Sequence, residues 1–212
     1  MRWLGLLGAA LVASCLAHGA GWAAEGEPYG VRGTLMAVDD ELLTVMNDDE
    51  ETFEVAMAED TGVFAVTPAK WSDIHPGQFV GITSVESGDQ RVALEVHIFA
   101  EDLRGTGEGH YPWDLTKDPN MMTNATVAEI KEVSPAERQL RLTYKEAEGD
   151  AAQGEQVITV PDFVDVVFLA KSEDPGLIVP DRRVFLLVQN SEQGPPAAIA
   201  VAVGLEGAIP PM

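Results

Sequence analysis

The amino-acid sequence predicts an all-β protein made of two similar halves. Short stretches in which apolar and polar residues alternate fill most of the chain from residue 29 onward, with acidic or Gly- and Pro-containing turns between them. The same order of stretches returns after about 104 residues, which indicates duplication of a domain. Hydrophobic residues make up 46% of the 212, which is enough for packed cores and too many for a disordered chain.

The first half contains six predicted strands and one short helix. Thr67 is the predicted N-cap of the helix, Pro68 occupies its first position and Ile74 ends it. Six short strands with one brief helix are typical of a small barrel or sandwich of about 70 residues. The strands are predicted at residues 31–38, 42–46, 52–57, 62–66, 78–85 and 91–99. On the sixth strand the predicted core face consists of Val92, Leu94, Val96 and Ile98.

The second half repeats these elements in the same order. A shift of 104 residues places Val80 on Val184. We therefore predict two tandem all-β domains, at residues 29–100 and 125–207. Between them, residues 101–124 combine glycines and prolines with tyrosine, tryptophan and methionine, a composition that predicts an ordered linker packed against a domain.

The charge of the chain is strongly negative. Its 35 Asp and Glu residues against 13 Lys and Arg give a formal net charge of -22. Nucleic acid is excluded as a partner because phosphate binding needs a basic surface, whereas attraction of cations is favoured. No apolar run long enough to span a bilayer follows the first two dozen residues, which excludes a polytopic membrane protein.

Residues 1–23 have the pattern of an export signal. Arg2 is the one charged residue of this segment, an apolar stretch follows it, and Gly21 and Ala23 are the small residues that a signal peptidase requires. Cleavage there predicts a periplasmic or secreted protein without cysteine, and so without disulfides. The alternatives are a lipoprotein, attached to a membrane through a lipid on Cys15, and an uncleaved N-terminal anchor.

His97 is the most prominent candidate binding residue. Its side chain points away from the predicted core face, together with that of Glu95. A shift of 105 residues places Ala202 at the matching position of the second half, so the fold itself does not need a histidine there. We interpret His97 as a ligand-binding residue, the alternative being a surface or interdomain histidine.

Four further candidates lie in the Gly-rich segment RGTGEGHYPWDL at residues 104–115. The glycines do not open a helix after a strand, and no Lys-Ser or Lys-Thr pair follows them, which argues against a phosphate-binding loop. On an exposed loop the four side chains would contact a ligand or a partner. The alternative is an interdomain contact, with the tryptophan buried and the glycines in tight turns. The four candidates are His110, Tyr111, Trp113 and Asp114.

Two methionines extend these candidates to a metal site. Met121 and Met122 with His97 and His110 form a candidate copper site, because imidazole and thioether groups both bind copper. Their spacing fits no compact metal-binding motif. The alternative is that the methionines fill gaps in a core, and no cofactor is then predicted.

Known catalytic motifs are absent from the sequence. It contains no Gly-x-Ser-x-Gly and no His-Glu-x-x-His, and removal of the export signal would leave no cysteine nucleophile. Carboxylate pairs are abundant, but in so acidic a chain they do not indicate a glycosidase.

Three segments resemble a family of uncharacterised bacterial secreted proteins: VALEVHIF at residues 92–99, RGTGEGHYPWDL at 104–115 and MMTNATV at 121–127. Members of that family have OB-like small barrels opening with a Gly-Thr-x-x-x-Val strand, as residues 33–38 do here. The resemblance covers residues 29–130 and, more loosely, the second half. It implies two tandem OB-like β-barrels. Relatives are often labelled metal transporter permeases, which the lack of membrane spans excludes here. The resemblance places His97, His110, Trp113 and Asp114 in a recurring pattern.

Three functions are compatible with these observations. The first, which the sequence favours, is a non-enzymatic envelope module that binds a small ligand or another envelope protein through the face around the linker. The second is a periplasmic copper-binding protein. The third is a hydrolase that acts on envelope glycans or peptides through carboxylates near His97.

Overall fold

The computed structural model describes residues 28–146, 153–191 and 194–210, and within them the protein is all-β, as predicted. The predicted export signal, with Cys15, lies outside the described residues. No helix in the described ranges has the length and hydropathy needed to cross a membrane. The strands are β1 (Tyr29–Asp39), β2 (Leu42–Met46), β3 (Thr52–Ala69), β4 (Phe79–Ser87), β5 (Gln90–Phe99), β6 (Gly109–Trp113), β7 (Asn120–Ser134), β8 (Glu137–Lys145), β9 (Gln153–Pro161), β10 (Val166–Lys171), β11 (Arg183–Gln189) and β12 (Ala197–Gly204). Short 3-10 helices are formed by Trp71–Asp73, Glu101–Leu103 and Pro175–Leu177.

The strands form one hydrogen-bonded sheet that closes on itself twice. Barrel 1 has the order β1-β2-β3-β12-β11 and closes where β11 pairs with β1. Barrel 2 has the equivalent order, β7-β8-β9-β5-β4, and closes where β4 pairs with β7. Strand β10 joins the barrels by pairing with β3 on one side and β5 on the other. Strand β6 pairs with residues 120–124 at the start of β7 and is not part of the closed strand order of either barrel.

The strand pairing departs from the predicted tandem division into residues 29–100 and 125–207. Barrel 1 takes β1–β3 from the first predicted unit and the hairpin β11–β12 from the second. Barrel 2 takes β7–β9 from the second unit and the hairpin β4–β5 from the first. The two units therefore exchange hairpins. Alternation of apolar residues determines which side chains face a core, but it does not determine which of two similar hairpins pairs with a given strand.

Two predicted segments also differ in detail. Thr67 and Pro68, predicted to begin a helix, belong to β3 and pair with β10. Helical geometry is limited to Trp71–Asp73, because the pairing with β10 holds the preceding residues extended. The predicted linker, residues 101–124, contains a 3-10 helix, β6 and the start of β7.

Each barrel encloses an apolar core, and a third apolar cluster lies between the barrels. Each buried Leu, Ile, Val or Phe side chain contributes about 1.5–3 kcal/mol relative to an exposed one. The core of barrel 1 includes Leu35, Leu43, Val45, Val55 and Leu186. The core of barrel 2 includes Val80, Ile82, Val96, Ile98, Leu140 and Ile158. The cluster between them includes Val66, Phe79, Phe99, Leu169, Phe185 and Ala202.

Strand β5 contains a β-bulge that alters its predicted core face. Its pairing with β4 is irregular between Ala93 and Glu95, so Leu94 is the extra residue. Leu94, predicted to be in the core, is exposed, and Ala93 is buried in its place. The alternation is regular again after the bulge, which leaves Glu95 and His97 on the face turned away from the core of barrel 2.

Candidate functional site

A row of paired residues across barrel 2 carries unusual polar side chains. Gly81 of β4 lies opposite Asn124 of β7 on one side and opposite His97 of β5 on the other. Directly paired residues point to the same face of a sheet, so the Asn124 and His97 side chains both project outward from barrel 2. A Cβ at Gly81 would lie 2.5 Å from Asn124 Oδ1 and closer still to His97 Nε2. The two atoms are therefore neighbours above a glycine that leaves room for them.

Glu95 orients the imidazole of His97. Its Oε2 lies 3.1 Å from His97 Nδ1, while its Oε1 accepts hydrogen bonds from the backbone N–H of Thr83 at 3.0 Å and from the Thr83 hydroxyl at 2.6 Å. All three residues are buried, and His97 is only 1% exposed. A carboxylate can only accept hydrogen bonds, so this network assigns the proton to Nδ1. In the neutral ring, Nε2 then carries a lone pair.

The amide of Asn124 is oriented by two acceptors on the opposite side. Its Nδ2 donates to the backbone carbonyl of Thr106 at 3.3 Å and to the Tyr111 hydroxyl at 3.1 Å. Because the carbonyl can only accept, the amide nitrogen must face it and Oδ1 must face His97. Gly107, at φ +55°, makes room for this contact, since a Cβ there would lie 3.0 Å from both Asn124 Nδ2 and the Tyr111 hydroxyl. Burial raises the pKa of Tyr111, which keeps its hydroxyl protonated.

Three buried polar atoms in this region have no hydrogen-bond partner among the described residues: His97 Nε2, Asn124 Oδ1 and Trp113 Nε1. A buried polar group without a partner costs about 1–3 kcal/mol and therefore requires an explanation. The first two are acceptors placed side by side, an arrangement that a hydrogen-bond donor from outside the chain would satisfy.

These residues border a cavity of about 380 Å³ between the two barrels. Its volume is within the range of about 300–1,000 Å³ typical of small-molecule sites. Thr106 and Gly107 are exposed at its edge, and none of the described lining residues is a lysine or an arginine. The aromatic part of the lining consists of Phe64, Phe99, Tyr111, Trp113 and Phe185.

The equivalent row of barrel 1 has a large aromatic side chain at the position where barrel 2 has a glycine. There Phe185 of β11 lies opposite Arg32 of β1 and Ala202 of β12. The Arg32 guanidinium lies 4.9 Å from the centre of the Phe185 ring. The same strand arrangement therefore forms with Arg, Phe and Ala where barrel 2 has Asn, Gly and His. The strand arrangement itself therefore does not require the polar row.

The predicted binding residues divide between the cavity and other positions. His97, Tyr111 and Trp113 line the cavity. Asp114 is not among its lining residues and instead binds Arg32 through an ion pair of 2.7 Å. His110 neighbours Tyr111 on β6 and so lies on the opposite face, where its Nδ1 is 2.8 Å from the Thr123 hydroxyl.

The structure does not bring the four predicted copper ligands together. The register places His110 one row away from His97, so the two imidazoles lie on opposite faces of the sheet. Met122 lines the cavity with His97, whereas Met121 lies on the other face. In the parts of the chain that the structure describes, no group of three or more His, Cys, Asp or Glu residues could hold a metal ion.

His110 is expected to make stability depend on pH. Burial, followed by the positive charge of Arg91, lowers the pKa of His110 below its ordinary value of 6.5. The unfolded chain then binds more protons below that value, so the free energy of unfolding should fall as the pH decreases through it. Urea denaturation between about pH 7 and pH 5 should show a larger loss for the wild type than for His110→Gln. An identical pH dependence in the two proteins would contradict this expectation.

Sequence reasoning missed Gly81 and Asn124, which complete the polar row. A signal for Gly81 was present, since the shift of 104 residues that aligns the two halves pairs it with Phe185. Replacement of a large aromatic residue by glycine at matching positions predicts a hollow in one half. Asn124 lies in the predicted linker, outside the residues that the repeat aligns.

No protein-family model, curated protein or solved structure matches this chain at a significant level. The resemblance to bacterial secreted proteins therefore stays a prediction. The fold and the site define the chain as an all-β protein in which two halves exchange hairpins. An apolar cavity with buried, unpaired acceptors lies between its two barrels.

Proposed function

We propose that the protein is a non-enzymatic binding protein of the cell envelope. It holds a small apolar ligand that carries a hydrogen-bond donor in the cavity between the barrels. The observation that carries this proposal is the pair of unpaired buried acceptors, His97 Nε2 and Asn124 Oδ1, at the wall of the cavity. The envelope location rests on the pattern of an export signal in residues 1–23.

A hydrolase is the second candidate, because Glu95 and His97 are arranged as an orienting carboxylate and a general base. Nucleophilic catalysis also needs a hydroxyl or thiol hydrogen-bonded to the base. His97 Nε2 has no such partner among the residues described, which favours binding over catalysis. Hydrolysis of envelope glycans or peptides that is lost in His97→Gln would favour the hydrolase instead.

Copper binding has less support than either of these. Of the predicted ligands, only His97 and Met122 face the cavity, and two donors are fewer than copper sites commonly use. Copper that is retained through purification and lost in His97→Ala would favour this function.

The proposed binding site can be tested by filling the cavity. Ala200 lines it, so Ala200→Phe should occupy part of its volume. The neutral dye N-phenyl-1-naphthylamine, which fluoresces in apolar surroundings, should bind the wild type saturably and at one site. We expect Ala200→Phe to weaken this binding at least about tenfold, equivalent to 1.4 kcal/mol.

The matched control for this experiment is Ile199→Phe, which adds a ring at the neighbouring exposed position. It should bind the dye as the wild type does. Circular dichroism would establish that both variants are folded. The absence of saturable binding to the wild type, or equal binding by all three proteins, would overturn the proposed site.

A further inference from the structure

The number of unpaired acceptors in the cavity narrows the class of its ligand, provided that the proposed binding function holds. His97 Nε2 and Asn124 Oδ1 are close neighbours, and neither has a donor among the described residues. A hydroxyl carries one donor and can satisfy only one of them. A primary ammonium carries three and can satisfy both at once.

The charge around the cavity also favours a cation. Glu95 is buried behind His97, and its hydrogen bonds run to Thr83 and His97, neither of which supplies a permanent positive charge. None of the described lining residues is a lysine or an arginine, and Arg32, which lies against the lining rings of Phe185 and Trp113, is paired with Asp114 at 2.7 Å. The net charge of -22 would also draw cations toward the protein.

The aromatic lining suits the same kind of ligand. Five aromatic side chains border the cavity, and ring faces attract cations as well as apolar groups. The protein itself contains one such contact, because the Arg32 guanidinium lies 4.9 Å from the centre of the Phe185 ring. The cavity therefore combines a polar end for a charged donor with an apolar volume for the rest of the molecule.

We propose that the cavity binds a primary ammonium ion with an aromatic or branched apolar body. The ammonium donates to His97 Nε2 and Asn124 Oδ1, with its charge balanced by Glu95 through the imidazole. The body lies among the aromatic rings. The third unpaired atom, the Trp113 indole Nε1–H, is a donor and would be matched by an acceptor on that body.

Three compounds that share a phenyl body and differ at one end test this inference. They are 2-phenylethylamine, 2-phenylethanol and 3-phenylpropanoate, each used to displace N-phenyl-1-naphthylamine from the full protein near pH 7. An alkylamine is charged there, as the lysine side chain is with its pKa of about 10.4. We expect the amine to displace the dye at a concentration at least about tenfold lower than the alcohol, and the carboxylate to be weakest.

Two variants separate a specific contact from general attraction of cations. Asn124→Leu removes Oδ1 and should bring the amine close to the alcohol while dye binding is retained. His110→Gln, on the opposite face of the sheet, should leave the preference for the amine unchanged. Where Asn124→Leu fails to fold, Asn124→Ala removes the same acceptor without adding another and should give the same result.

The possible outcomes distinguish this inference from the proposed function. Saturable dye binding with equal displacement by amine and alcohol, or stronger displacement by the carboxylate, would overturn the ammonium ligand and leave the binding site intact. Preference for the amine that persists in the Asn124 variants would also overturn it. A wild type that binds neither the dye nor any of the three compounds would overturn both.

Discussion

Gly81→Ala is expected to abolish ligand binding and to lower the free energy of unfolding by about 1–3 kcal/mol, the usual cost of overpacking. The added methyl group would overlap His97 Nε2 and would lie 2.5 Å from Asn124 Oδ1. Neither side chain can retreat freely, because Glu95 holds the imidazole and Thr106 holds the amide. One methyl group should therefore displace both acceptors. Urea denaturation and dye titration measure the two effects.

A matched control for Gly81→Ala is available in Gly176→Ala. The three atoms nearest to a Cβ at Gly176 would all belong to the Asp174 side chain, the closest at 3.0 Å. This exposed carboxylate accepts a hydrogen bond from the Gly176 N–H at 2.8 Å, so its displacement should cost at most about 1.5 kcal/mol and leave dye binding as in the wild type. Wild-type dye affinity in Gly81→Ala would show that the space above Gly81 is not part of the binding site.

Most of the strands could be predicted from the sequence, but the strand partners could not. Alternation placed Val96 and Ile98 in a core, and both are buried. It failed at Leu94, because a bulge inserts one residue without any change in the local pattern. Each set of three strands could pair with either of two similar hairpins. The residues that determine which hairpin pairs with which strands lie far apart in the chain.

The candidate site could be predicted only in part, for a related reason. His97 was identifiable because Ala202 holds the matching position, and Tyr111 and Trp113 because flexible linkers rarely contain such aromatic residues. The cavity itself arises where the exchanged hairpins bring Phe99 of β5 and Phe185 of β11 to the same space. No segment of the chain carries that information alone.

Glu95→Gln is expected to reverse the hydrogen-bonding character of His97 Nε2. The glutamine carbonyl can still accept the two hydrogen bonds from Thr83, which leaves its NH2 group facing His97 Nδ1. Nδ1 must then accept, and the imidazole proton moves to Nε2. An Nε2–H can no longer accept a hydrogen bond from a ligand, so the cavity loses one of its two free acceptors. We expect amine affinity to fall more than about tenfold with little loss of stability.

Nitrogen-15 NMR of the imidazole distinguishes the two tautomers, so the switch can be observed independently of binding. The matched control is Glu86→Gln, which removes the same charge from an exposed side chain paired with Arg91 at 3.1 Å. It should keep the Nδ1–H tautomer of His97 and the amine affinity of the wild type. A Glu95→Gln protein that does the same would show that Glu95 does not set the polarity of the cavity. A switched tautomer with unchanged amine affinity would instead remove His97 from the site and leave Asn124 as its acceptor.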